Sequence, residues 1–301
     1  MHTYLTPDPI IVEIRNAAGS VAVDLTDSVT TSTVTVEQIP GVGGLLGDLV
    51  SGFRRDSARG DSGRTSHDPV DDVRVDLRMV ESGSNVLIVD TDPARSGWKT
   101  AFAVRVTAPI GSGVRVQAQS ADVRIDGRAD RLDVRSASGD VTVGTIERGS
   151  LVQTASGSIR VGEHGADAEF RTASGDVTVG RSGGSVSVHA TSGDVRVGEP
   201  HSDVFVRNVS GGVEIGSVRD GVVEVTAVSG DLNVGLLPGA LAKIDLRTVS
   251  GSVRNDFEVE SHEPSDQDGA EPQRRIALTC RTTSGDIRLR RVAVGSAWVK
   301  S

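Results

Sequence analysis

Apolar and polar residues alternate along this chain in short bursts, and the bursts return at a fixed spacing. The turn triplets Ser138-Gly139-Asp140, Ser156-Gly157-Ser158, Ser174-Gly175-Asp176, Ser192-Gly193-Asp194 and Ser210-Gly211-Gly212 follow one another every eighteen residues. Ser120-Ala121-Asp122 extends the register backwards, and Ser229-Gly230-Asp231, Ser250-Gly251-Ser252 and Ser284-Gly285-Asp286 continue it at wider spacing. After each serine the pattern has period two, as in Asp140-Val141-Thr142-Val143 and Asp176-Val177-Thr178-Val179. Alternation with β-branched residues on one face predicts a half-buried strand. A glycine such as Gly144, Gly162, Gly180, Gly198, Gly216 or Gly235 then marks the predicted strand end. A second predicted strand precedes each serine. Its inward positions are Val116, Val134, Val152, Phe170, Val188, Val206, Val225, Leu246 and Cys280, beside Val114, Leu132, Ala168, Val186, Val204, Val223, Ile244 and Leu278.

Two short strands around a corner in every unit predict an all-β fold, a parallel β-solenoid of eighteen-residue rungs. Stacking like rungs about 4.8 Å apart sets valine over valine and glycine over glycine, a gain that an antiparallel meander would forfeit. Right-handed coiling is expected from the usual preference of parallel crossovers. Residues 110–301 form the regular solenoid, interrupted at 256–273 by an acidic loop with seven carboxylates and no Lys or Arg. Residues 1–109 read as less regular rungs that cap the sheet edge, with strands at 73–77, 85–89 and 101–106 and a flexible insertion at 41–69. Ala18-Gly19-Ser20-Val21 repeats the corner in this part, and Tyr4, Trp98 and Phe102 supply bulk for the cap.

Composition narrows the function. A net charge of −9 and only 3% aromatic residues argue against nucleic acid as a partner. The lone Cys280 excludes an intrachain disulfide and a multi-cysteine zinc site, and it falls in an inward column, as a packing thiol would. No signal peptide and no apolar run of membrane-spanning length is seen, so a cytoplasmic protein without membrane insertion is expected.

The repeated Ser-Gly-Asp-Val-x-Val-Gly unit resembles the bacterial β-strand-repeat family of unknown function often labelled "putative adhesin". The resemblance is strong over roughly residues 110–290 and extends over 10–107. It implies binding or scaffolding, with envelope-stress or regulatory signalling as the setting, and no known chemistry.

Function on such a fold must sit in the outward columns. One carries Asp140, Asp176, Asp194, Asp231 and Asp286, and another carries Arg135, Arg171, Arg207, Arg247 and Arg281. They flank the same corner, so Arg–Asp pairing is expected between them, each exposed pair contributing roughly 0–1 kcal/mol. The same columns are the candidate binding surface for an unidentified protein partner. Asp176 and Asp194, about 5 Å apart on adjacent rungs, also resemble a retaining glycosidase pair, which gives a competing reading as a polysaccharide-binding or polysaccharide-cleaving β-helix. Turn chemistry explains a recurring aspartate better than a single catalytic centre does. The histidines His2, His67, His164, His189, His201 and His262 lack metal-ligand spacing and fall mostly in predicted loops. The sequence therefore predicts no enzyme, no catalytic or metal site and no cofactor. Uncapped rung ends make self-association a further expectation.

Overall fold

A computed structural model describes residues 1–27, 29–39, 73–79, 85–91, 101–257 and 275–292. The insertion at 41–69, Trp98, most of the acidic loop and the chain beyond Val292 lie outside the described residues. In chain order the first strands are β1 (His2–Leu5), β2 (Ile11–Thr26), β3 (Thr31–Ile39), β4 (Val73–Met79), β5 (Asn85–Thr91), β6 (Ala101–Pro109) and β7 (Gly113–Ala129). Eight two-strand rungs follow. They are β8 (Leu132–Ser138) with β9 (Val141–Ile146), β10 (Ser150–Ser156) with β11 (Ile159–His164), β12 (Ala168–Ser174) with β13 (Val177–Ser182), and β14 (Val186–Ser192) with β15 (Val195–Pro200). The remaining four are β16 (Val204–Ser210) with β17 (Val213–Val218), β18 (Gly221–Ser229) with β19 (Leu232–Leu236), β20 (Leu241–Ser250) with β21 (Val253–Asn255), and β22 (Arg275–Ser284) with β23 (Ile287–Arg291).

Pairing between rungs is parallel and in register at the eighteen-residue step, as in Val152 beside Val134 and Phe170. The protein is the expected all-β parallel solenoid. Even-numbered strands from β8 onward form one wall and odd-numbered strands the other; β7 serves both. The core between them is valine-rich, and Phe170, Ile159, Ile215, Leu278 and Cys280 are fully buried. A third inward column that the alternation did not announce lies under the corner, where Ser136, Thr154, Thr172, Asn208 and Thr282 are all buried. Several of these return a hydrogen bond to the corner backbone. The Asn208 side-chain amide donates to the carbonyls of Gly193 and Gly211 at 3.1 and 3.0 Å, which keeps buried carbonyls paired.

Two glycine columns permit the tight stack. The corner glycines, Gly175 among them with φ +141°, occupy the left-handed region that side chains disfavour, and an added Cβ would run into the glycine carbonyl one rung below. The second column does not end its strands. Each such glycine lies inside a strand, and Gly162 falls at a break in the paired register between Val161 and Glu163. A Cβ on Gly162 would stand 2.7 Å from the Gly144 carbonyl oxygen.

The ends depart from sequence order. Rung β20/β21 precedes β22/β23 in the chain but stacks outside it: β22 pairs with β18 on one side and β20 on the other, so the corner order is Ser229, Ser284, Ser250. Repeat spacing could not reveal this, because both segments carry the same rung signature. At the other end β2 runs parallel to β7 and, on its far side, to β5 and β6. Antiparallel strands then close the stack, β4 on β5, β3 on β6 and β1 on β3. Tyr4 and Phe102 lie in this cap; the Tyr4 hydroxyl donates to the Val75 carbonyl at 3.2 Å and Phe102 is buried. No helix among the described residues is long and apolar enough to cross a membrane.

Candidate functional site

Each corner aspartate answers a backbone problem created by its turn. The amide after the glycine donates to the carboxylate of the corner below it, in the place a ladder carbonyl would otherwise fill. Asp122 accepts the Asp140 amide at 3.0 Å, Asp140 that of Ser158 at 2.8 Å, Asp176 that of Asp194 at 2.9 Å, and Asp194 that of Gly212 at 2.9 Å. The ladder crosses the rearranged end unbroken, since Asp231 accepts the Asp286 amide at 2.9 Å and Asp286 that of Ser252 at 2.8 Å. Hydrogen bonds from Ser252 hold the Asp286 carboxyl below the usual carboxylate range. Asp167 repeats the device at another turn, where the Ser185 hydroxyl and amide depress its pKa. One column thus carries like charges one rung apart, each offset by a partial positive charge on an amide.

The expected pairing between the arginine and aspartate columns does not form. Arg135 reaches Asp133 at 3.5 Å, Arg171 reaches Glu169, and Arg247 and Arg281 reach Asp245 at 2.9 and 3.5 Å. Arg207 forms no ion pair among the described residues. The aspartates turn to the opposite wall, Asp140 to Arg160 at 3.3 Å, and Asp176 and Asp194 together to Arg196 at 3.9 and 2.8 Å. The reason is alternation. A residue two places away on one strand shares its outer face, whereas the corner directs the aspartate toward the following strand.

Two shallow depressions mark the walls. One, of about 750 Å³, runs along the glycine column Gly144, Gly162 and Gly180, where missing side chains leave a trough. Its banks are Arg160, Arg181, Arg196, Glu163 and Glu199, and Arg181 bridges Glu163 and Glu199 at 2.9 and 3.2 Å. The other, of about 490 Å³, lies on the opposite wall beside the corner, lined by Ala173, Thr191, Val209 and Val228 and flanked by Arg171, His189 and Arg207. Val209 and Val228, side by side on neighbouring rungs, are 47% and 51% exposed. Sequence reading passed over this apolar row. The residue before each corner serine, Ala137, Ala155, Ala173, Thr191, Val209 and Val228, contained the signal.

His164 is a correction of another kind. It sits in the core, 2% exposed, not in a loop. Its Nε2 lies 2.9 Å from Ser150 Oγ and its ring meets Phe170 edge-on at 6.4 Å between centroids. Burial pushes its pKa below the ordinary imidazole value, and the Ala166 backbone and the Asp167 charge offset this only in part. A serine and a histidine in contact have the atoms of a nucleophile and its base, but this pair is sealed inside the valine stack and no substrate can reach it. Cys280 is likewise buried, its thiol pushed up to about 12 by desolvation. Among the described residues no group of three or more His, Cys, Asp or Glu side chains could hold a metal ion.

The family profile described as Toastrack DUF4097 matches residues 103–203 and 130–290, and the chain belongs to that family. No curated protein matches the chain. Among solved structures, one described as a putative adhesin from Bacteroides fragilis NCTC 9343 is 10% identical, with 97% of this chain and 95% of that one covered and a TM-score of 0.40. A putative adhesin from Parabacteroides distasonis ATCC 8503 is 12% identical, with 97% and 95% covered and a TM-score of 0.32. A putative cell adhesion protein from Clostridium sporogenes ATCC 15579 is 10% identical, with 97% and 98% covered and a TM-score of 0.22. At such identities and scores the likeness adds nothing on function.

Proposed function

We propose that this Toastrack chain is a non-catalytic scaffold that binds a protein partner along the even-numbered wall, in envelope-stress or regulatory signalling. The observation that carries the reading is the exposed apolar pair Val209 and Val228, with Ala173 and Thr191 continuing the row, set against Arg171, His189 and Arg207. Contiguous exposed apolar side chains rimmed by charge are the usual mark of a protein contact. The complementary face of the partner would carry apolar side chains and carboxylates. Engagement of the corner aspartates supports the non-catalytic part. Asp176 and Asp194 each accept an amide and share Arg196, which leaves neither placed as an acid or nucleophile for a sugar.

Affinity capture from native lysate tests the reading. Wild-type protein is expected to recover a reproducible partner that the Val209→Asp/Val228→Asp variant loses, while both keep the same far-UV circular dichroism. No reproducible partner, or equal capture by the variant, contradicts it. Glycan binding or cleavage that disappears in Asp176→Asn/Asp194→Asn would favour the polysaccharide reading instead.

A further inference from the structure

We propose that the β20/β21 end of the stack is a self-association surface, on which two copies of this chain join tail to tail about a twofold axis. Among the described residues β20 pairs only with β22 and β21 only with β23, so the outer backbone edge of this rung is open. Its core is open too. Val253 is 45% exposed where its inner neighbour Ile287 is 1%, and Ile244 and Leu246 are only partly buried, whereas the equivalent Val204 and Val206 are 0% and 1% exposed. The rung keeps the regular corner, Ser250-Gly251-Ser252, with Gly251 at φ +150°. It therefore presents the same edge that every internal rung uses for pairing.

The occupant follows from the two ends being different. The other end finishes in antiparallel strands, so it offers no matching rung on which the parallel stack could continue head to tail. Tail-to-tail antiparallel pairing of β20 with itself is closed and self-complementary, as a twofold interface requires. Charge selects the register. Centring the axis on Leu246 sets Asp245 of each copy opposite Arg247 of the other, two opposite-charge contacts flanking a leucine pair. Moving the axis to Asp245 would instead oppose aspartate to aspartate and Lys243 to Arg247. Arg254 and Asp256 repeat the alternation on the odd-numbered wall. Charges on an edge strand can also serve only to keep it single, and that alternative predicts a monomer.

This interface is separate from the wall assigned to a partner protein, and either can fail without the other. Sedimentation velocity across a dilution series of the full chain is the test. The wild type is expected to show a reversible twofold rise in mass. Asp245→Arg and Arg247→Asp, each alone, are expected to stay monomeric, and mixing the two restores the twofold mass because each carries the charges that the other lacks. The swapped variant Asp245→Arg/Arg247→Asp keeps both charges on the strand and is expected to dimerise, which guards against loss through misfolding. A monomeric wild type, open-ended polymers, or a dimer indifferent to the single reversals would overturn the proposal.

Discussion

Asp194 offers the sharpest test of what the aspartate ladder does. Its carboxylate accepts the Gly212 amide at 2.9 Å and pairs with Arg196 at 2.8 Å, with the side chain 42% exposed. A hydrogen bond to a charged group contributes about 1.5–3 kcal/mol when sheltered, and an exposed ion pair about 0–1. Water can reach this corner and replace part of both, so Asp194→Ala is expected to destabilise the protein by only about 1 kcal/mol. Asp194→Asn keeps an oxygen where the amide needs one and should lose no more than half as much. Urea denaturation followed by circular dichroism gives the two values. Amide exchange at Gly212 localises them, faster in the alanine variant and near wild type in the asparagine variant. The molecule holds its own reference: the amides of Asp176 and Asp231 stand over Ser158 and Gly212, which have no carboxylate, and should exchange faster than that of Gly212 in the wild type. If asparagine costs as much as alanine while Gly212 exchange stays unchanged, the column acts through its charge and the amide account is wrong.

Three further outcomes are expected. Gly175→Ala forces a side chain into φ +141° and against the Gly157 carbonyl, and should cost at least about 2–3 kcal/mol in urea denaturation, whereas Gly149→Ala, with 3.8 Å of room, should be near neutral. The His164 pKa is lower folded than unfolded, so the unfolded chain takes up the proton first. Stability should be full above about pH 6.5 and fall as the pH drops toward the folded-state value, a decline that His164→Gln removes and that denaturation midpoints at neutral and mildly acidic pH would reveal. Cys280, buried with a thiol pushed up to about 12, should ignore a thiol reagent in the native state at pH 8 and react fully in guanidinium. Reaction without denaturant would show that this part of the stack opens.

The rung and its inward columns were legible because a parallel stack repeats its pattern in sequence at the same step at which it repeats in space. Three things were not legible, for different reasons. Alternation is the same whether a strand pairs parallel or antiparallel, so the cap strand at 73–77 could be placed but not oriented, and the one at Thr31–Ile39 was passed over. The polar contacts under the corner and between Ser150 and His164 occupy positions where valine or alanine stands in other rungs, and only the packed neighbours show that the polar atoms find one another. The arginine and aspartate columns were located, but not their partners, since pairing depends on which way the corner turns a side chain.

Because the last rung in the chain is the last but one in the stack, synthesis and assembly run in different orders. When residues 241–255 leave the ribosome, the surface they will rest on does not yet exist. They must wait until 275–291 are made and slide in against β18. Any chain that stops early therefore loses two layers and not one, and what it exposes is the bare valine face of β18 and β19. The closing layer of a complete chain, by contrast, is tethered covalently on both sides and has no loose end from which to peel.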